Sequence, residues 1–248
     1  GRVYQVKAYE VPELKRNGKG IPLINLVNVE PGETATGLIA VHDFGAVENL
    51  LFVTRRGEVK RVRIQDFDSV RANGLNAMDL EPGDELCWVK LANSADEVIL
   101  VSARGKAVRF SLEDVRTSNR GSGGVRGMRL LDGDVLVGAE VVEPEAAILL
   151  VTEHGYGKRT KLDQFPSKGR GTQGVIALTT TTKTGLVAAT CLVRPEDEVM
   201  VISAEGVVIR MAANTVSLLG RTAQGVRVMH LDPSDRVVST TRLRVNGT

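Results

Sequence analysis

Ile148-Leu149-Leu150-Val151-Thr152-Glu153-His154-Gly155-Tyr156-Gly157-Lys158-Arg159 is the stretch that decides the fold. An apolar run ends in a hydroxyl residue, two variable residues and a glycine, and an arginine stands four places beyond. The arrangement recurs at 50–53 with the turn 54–57 and Arg61, and at 98–101 with 102–105 and Arg109. It recurs again at 199–202 with 203–206 and Arg210. A hydroxyl-x-x-Gly link between short β-branched runs suits a hairpin whose last turn residue takes positive φ, which glycine adopts without steric cost.

The pattern extends outward from each hairpin. Ten residues past each glycine stands an apolar side chain: Phe67, Val115, Phe165 and Val216. Gly74, Gly124, Gly174 and Gly225 follow, and each precedes an apolar residue and a short strand-like segment. Gly1 opens a fifth copy, with Gln5 at the arginine position, Val11 at the apolar one, and Gly20-Ile21. Successive hairpin glycines lie 56, 48, 50 and 51 residues apart, and no segment sustains a helical period. An all-β repeat of about 40–50 residues with four strands predicts a propeller-like disc, whereas separate immunoglobulin-like domains need ~100 residues each. We read 1–248 as one domain with repeats starting near 1, 49, 97, 146 and 197. Because the copy at Gly1 lacks its apolar strand, the chain reads as a fragment of something longer on the N-terminal side. The strand after Gly1 is then expected to find no native partner unless the missing part is supplied.

With 32 basic and 30 acidic residues the net charge is only +2, which names no partner. Sorted by repeat phase, however, the windows 1–30, 51–80, 101–131, 151–175 and 201–231 carry +14 and the remainder −12. Equivalent positions land at equivalent places on each blade, so the basic half becomes a band suited to phosphates. The competing reading is charge that merely solvates exposed strands. Cys87 and Cys191 stand alone and three histidines are scattered, so the chain reads as reduced and cytoplasmic, without a disulfide framework or zinc site. No apolar run approaches a membrane span, and no membrane partner is expected.

Aromatic residues make up 4% of the chain, and Phe67 and Phe165 occupy core-like repeat positions, which disfavours single-strand or RNA stacking platforms. No recognition helix is available for the major groove, leaving duplex DNA held by its backbone. The candidate phosphate contacts are the repeat-equivalent Arg61, Arg109, Arg159 and Arg210, with Lys60, Lys158 and Lys161 beside them. Loop residues Lys15, Arg16, Lys19, Arg71, Arg120, Arg126, Lys168, Arg170 and Arg221 form a second rank. Gly169-Arg170-Gly171-Thr172-Gln173-Gly174 matches G-x-G-x-x-G, but a loop precedes it and a β-like segment follows, so no dinucleotide site is expected. Asp132-Gly133-Asp134 and Pro82-Gly83-Asp84 read as turns rather than calcium ligands. No nucleophile has a recognisable base partner, and neither catalysis, a metal nor a cofactor is expected of this domain.

Gly1-Arg2-Val3-Tyr4, Gly124-Val125-Arg126-Gly127-Met128-Arg129-Leu130, Gly155-Tyr156-Gly157-Lys158-Arg159-Thr160 and Gly220-Arg221-Thr222-Ala223-Gln224-Gly225-Val226 resemble blades of the C-terminal domain of DNA gyrase A subunits. The resemblance covers nearly the whole chain in register. It implies a β-pinwheel of six four-stranded blades completed by strand exchange, whose basic rim bends and wraps duplex DNA in support of ATP-dependent negative supercoiling. It also implies that the partners are the remainder of the A subunit plus the B subunit in an A2B2 holoenzyme. The isolated domain is then monomeric and non-catalytic, and works at the nucleoid. The family's Q-R-R-G-G-K-G box is absent, and Lys15-Arg16-Asn17-Gly18-Lys19-Gly20 is its nearest approach. Loss of a first blade accounts for this. The rivals are the equivalent domain of the topoisomerase IV A-type subunit, which does not wrap strongly, and a propeller serving as a protein-interaction platform.

Overall fold

The computed structural model describes residues 1–15, 17–71 and 73–244. The first repeat contributes a single strand, β1 (Arg2–Val3). The second contributes β2 (Asn49–Thr54), β3 (Glu58–Arg63), β4 (Leu75–Asn76) and β5 (Leu86–Ala92). The third contributes β6 (Glu97–Ser102), β7 (Lys106–Ser111), β8 (Val125–Arg126) and β9 (Leu136–Val141). The fourth contributes β10 (Ala147–Thr152), β11 (Tyr156–Lys161), β12 (Val175–Ile176) and β13 (Val187–Val193). The fifth contributes β14 (Glu198–Ser203), β15 (Val208–Ala212), β16 (Val226–Arg227) and β17 (Val237–Leu243).

Each hairpin is built by its own turn chemistry. The hydroxyls of Thr54, Ser102, Thr152 and Ser203 accept from the backbone N–H four residues on, at 3.1, 3.4, 3.2 and 3.1 Å. Gly155 takes φ +76°, and a Cβ there would lie 2.3 Å from the Met229 carbonyl oxygen. Glycine thus allows both the left-handed turn and the close approach of the next repeat. The acidic turns cap the same hairpins. Asp84, Asp134 and Asp235 each accept from the backbone N–H of Arg56, Arg104 and Glu205 through one carboxylate oxygen, Oδ1.

The strand orders are β5-β2-β3-β8, β9-β6-β7-β12, β13-β10-β11-β16, β17-β14-β15 and β1-β4. In each four-stranded sheet three strands come from one repeat, and the outermost is donated by the next. The apolar runs are continuous because both faces are covered. Leu51 and Val53 face one core with Val98 and Leu100, while Leu50 and Phe52 face another with Phe67 and Met78. Two further cores follow, between β6 and β10 and between β10 and β14. The expected apolar positions Phe67, Val115, Phe165 and Val216 are all buried.

The all-β, propeller-like reading holds, and three details differ from expectation. The strand after Gly1 does have a partner: β1 pairs with β4, Arg2 opposite Asn76 and Val3 opposite Leu75. Its partner strand is donated by the second repeat. The segment after Gly20 forms no strand, and Ile21 and Val11 are exposed at 42% and 50%, because among the described residues no neighbouring edge reaches them. The last sheet has three strands, since among the described residues no later repeat donates a fourth.

Candidate nucleic-acid interface

The donated strands β8, β12 and β16, with the loops that precede them, form the outer edge of the blades. Each loop runs parallel to the strand it covers, through bridges Arg61 to Thr117, Arg109 to Ser167 and Arg159 to Leu218. Successive loops also bond to one another. The Asp79 N–H donates to the Ser122 carbonyl at 3.0 Å and the Arg129 N–H to that of Thr172 at 2.9 Å. The Thr179 hydroxyl donates to the Thr222 carbonyl at 2.7 Å. The result is a continuous rim across consecutive repeats.

The first-ranked basic residues mostly fall beneath this rim, where Lys60, Arg61, Lys158 and Arg159 are buried away from solvent. Arg109 donates to Glu97 through Nε at 3.0 Å and to the Leu162 carbonyl through Nη1 at 2.7 Å. Arg159 is buried, donating through Nε to the Val216 carbonyl at 2.8 Å and through Nη2 to that of Asn214 at 3.2 Å. Arg61 is buried too, and its Nε and Nη1 have no hydrogen-bond partner among the described residues. Lys60 Nζ donates to the carbonyls of Ala77 and Ser122 at 2.8 and 2.7 Å. Lys158 Nζ donates to those of Gly220 and Arg221, both at 2.6 Å. Burial pushes the Lys60 ammonium below its ordinary value, and burial together with the Arg221 charge brings Lys158 to about 8. Lys60, Arg109, Lys158 and Arg159 thus bond one repeat to the next. A donated loop covers β3, β7 and β11 alike, so strand alternation does not separate inward from outward here.

Arg210 stays exposed and pairs with Glu198, because β15 has no donated strand over it. Lys161, Lys168, Lys15, Lys19, Arg71, Arg120 and Arg126 are exposed, and Arg170 and Arg221 are half-buried. Arg16 lies outside the described residues. Arg120 donates to the Asp66 carbonyl at 2.7 Å, Arg170 to those of Asp114 and Arg126 at 2.9 and 3.0 Å, and Arg221 to that of Ile176 at 2.9 Å. Each contact uses one or two of a guanidinium's five donors and anchors the side chain to the preceding repeat.

Arg116, Arg129 and Arg227 are exposed rim cations outside the two expected ranks. The repeat register holds the missing signal for Arg227, which is the equivalent of Arg126, two places past the second glycine. Arg227 rests on Tyr156, its guanidinium carbon 4.7 Å from the ring centre and its Nη2 2.7 Å from the hydroxyl. The basic band is narrower than the phase count implies. Arg55, Arg56 and Arg104 belong to the same windows but sit at the hairpin turns, bound to Glu85, Pro82 and Asp132. The 169–174 loop leads into β12 and not into a helix, so its glycines serve the rim.

The family model for the DNA gyrase C-terminal domain, a beta-propeller, matches residues 1–42, 48–93, 96–143, 146–190 and 197–243. The chain belongs to the DNA gyrase C-terminal domain family. The DNA gyrase A subunit of Halalkalibacterium halodurans is 48% identical over 245 residues, covering 99% of this chain and 29% of the relative. The DNA gyrase A subunit of Dehalogenimonas lykanthroporepellens is 40% identical over 246 residues, covering 96% of this chain and 30% of the relative. The chain thus spans about 30% of the length of the gyrase subunits it matches. Among solved structures, a DNA gyrase A C-terminal domain superposes with TM-score 0.85 at 29% identity, covering 98% of this chain and 80% of the other. A topoisomerase IV C-terminal domain superposes at 0.84 with 23% identity, over 90% and 70%, a likeness of fold alone.

Proposed function

We propose that this chain binds duplex DNA along its rim through backbone phosphates, without reading base sequence, and bends and wraps it. In this reading it is a gyrase A subunit's non-catalytic C-terminal domain and supports ATP-dependent negative supercoiling. Its partners are duplex DNA, the remainder of the A subunit, and the B subunit in an A2B2 enzyme at the nucleoid. The observation that carries the reading is the row of exposed or half-buried cations on consecutive donated segments: Arg116, Arg120, Arg126 and Arg129, then Lys168 and Arg170, then Arg221 and Arg227. Family membership supports the same assignment.

Cations placed at a repeating interval along a curved edge match a polyanion that follows that edge. Each phosphate neutralised releases counterions, so log K falls with log salt by about 0.9 per contact. Titration of short and long duplexes against salt tests this. We expect affinity to rise with duplex length until the rim is spanned and to fall steeply with salt. Affinity independent of length and salt, or no binding, would favour the protein-interaction platform.

A further inference from the structure

Three residues past the hairpin glycine, the repeats carry Tyr4, Lys60, Val108, Lys158 and Ile209. Valine and isoleucine are the ordinary solution for a side chain enclosed between sheets. Lys60 and Lys158 occupy the same place with relative exposures of 1% and 0%. Burying an ammonium carries a desolvation cost unless hydrogen bonds compensate for it. Here two carbonyls do so in each case, and each ammonium reaches a loop carrying a rim arginine. Lys60 holds Ser122, two residues beyond Arg120, and Lys158 holds Gly220 and Arg221 itself. At Val108 there is no ammonium, and a cavity of about 180 Å³ opens between it and the loop bearing Lys168, Thr172 and Gln173.

We propose that Lys60 and Lys158 are positioning residues for the interface, each pinning the rim loop of the following repeat so that its arginine keeps a fixed place along the duplex path. The inference rests on the reading that the rim binds duplex DNA. Of the three joints where a donated strand completes a four-stranded sheet, the one at Val108 lacks the ammonium, and its loop adjusts to the duplex where the other two do not. The lowered value of Lys158 follows from burial, with the nearby Arg221 charge adding to it.

Amide hydrogen exchange and duplex titration on Lys158→Met and Val108→Lys test the proposal. Methionine fills the space of the lysine stem without the donor. We expect exchange at residues 219–224 to rise about tenfold in Lys158→Met while the β9-β6-β7-β12 sheet keeps its protection. Affinity for a long duplex should fall about tenfold, and affinity for a duplex spanning one repeat should hold. Val108→Lys should slow exchange in 168–174. Unchanged loop exchange in Lys158→Met, or loss of protection throughout the molecule, would overturn the pinning role. A loosened loop with unaltered long-duplex affinity would overturn its role in placing DNA. Absence of duplex binding by the parent chain would overturn the functional reading instead, and exchange would still decide the pinning.

Discussion

Lys158 follows Gly157 on β11, with Leu150 opposite it on β10. Its ammonium has left water for the carbonyls of Gly220 and Arg221, and its value falls from 10.5 to about 8. Between pH 8 and 10.5 the folded state therefore binds fewer protons than the unfolded one, so this residue makes stability rise with pH across that window. The neutral amine keeps two N–H donors for the two carbonyls. In urea titrations we expect the stability advantage of the parent over Lys158→Met to be larger at about pH 10 than at about pH 7. An equal advantage at both would refute the assignment. Arg159 and Arg210 illustrate the limit of reading single residues. They share a repeat position, but the carbonyls of Asn214 and Val216 bond the first, while the second stays exposed and pairs with Glu198. A shared repeat position leaves this difference open, because the covering group comes from another repeat.

At the scale of the element, the hairpin is self-sufficient and the blade is not. The hydroxyl, the positive-φ glycine and the alternate apolar faces lie within a dozen residues, so turn and strands were legible from 146–161 alone. The fourth strand comes from the next repeat and is only two residues long, too short to announce itself by pattern. Gly155 and Gly206 separate the two contributions. Both have positive φ, at 76° and 85°, but a Cβ on Gly155 meets the Met229 carbonyl whereas one on Gly206 meets nothing within 4 Å. Gly206→Ala should cost about 1–2 kcal/mol, the left-handed penalty alone. Gly155→Ala should exceed it by at least ~1 kcal/mol as donated backbone is displaced. Denaturant midpoints of the two variants check this, and equal losses would mean that strand donation contributes little to the hairpin end.

Over the whole molecule, the charges separate into three environments that the phase count had merged. Some cations lie between repeats, some at the hairpin turns beside acidic loops, and some along the rim. Replacing Arg116, Arg126 and Arg129 by glutamine should reduce the salt slope of duplex binding by about 0.9 for each phosphate no longer neutralised. The same change at Arg55, Arg56 and Arg104 should leave it nearly unaltered, and salt titration of the two triple variants would distinguish them. The repeat, its period, the all-β class and the family are written in the chain, since hydroxyl turns, glycines and apolar runs act over a few residues. Which cations face solvent, which strand completes which sheet and how β1 finds a partner were decided by tertiary structure. The reason is physical: burial and hydrogen bonding at each of those positions depend on backbone donated from roughly fifty residues away, and no local pattern records that covering.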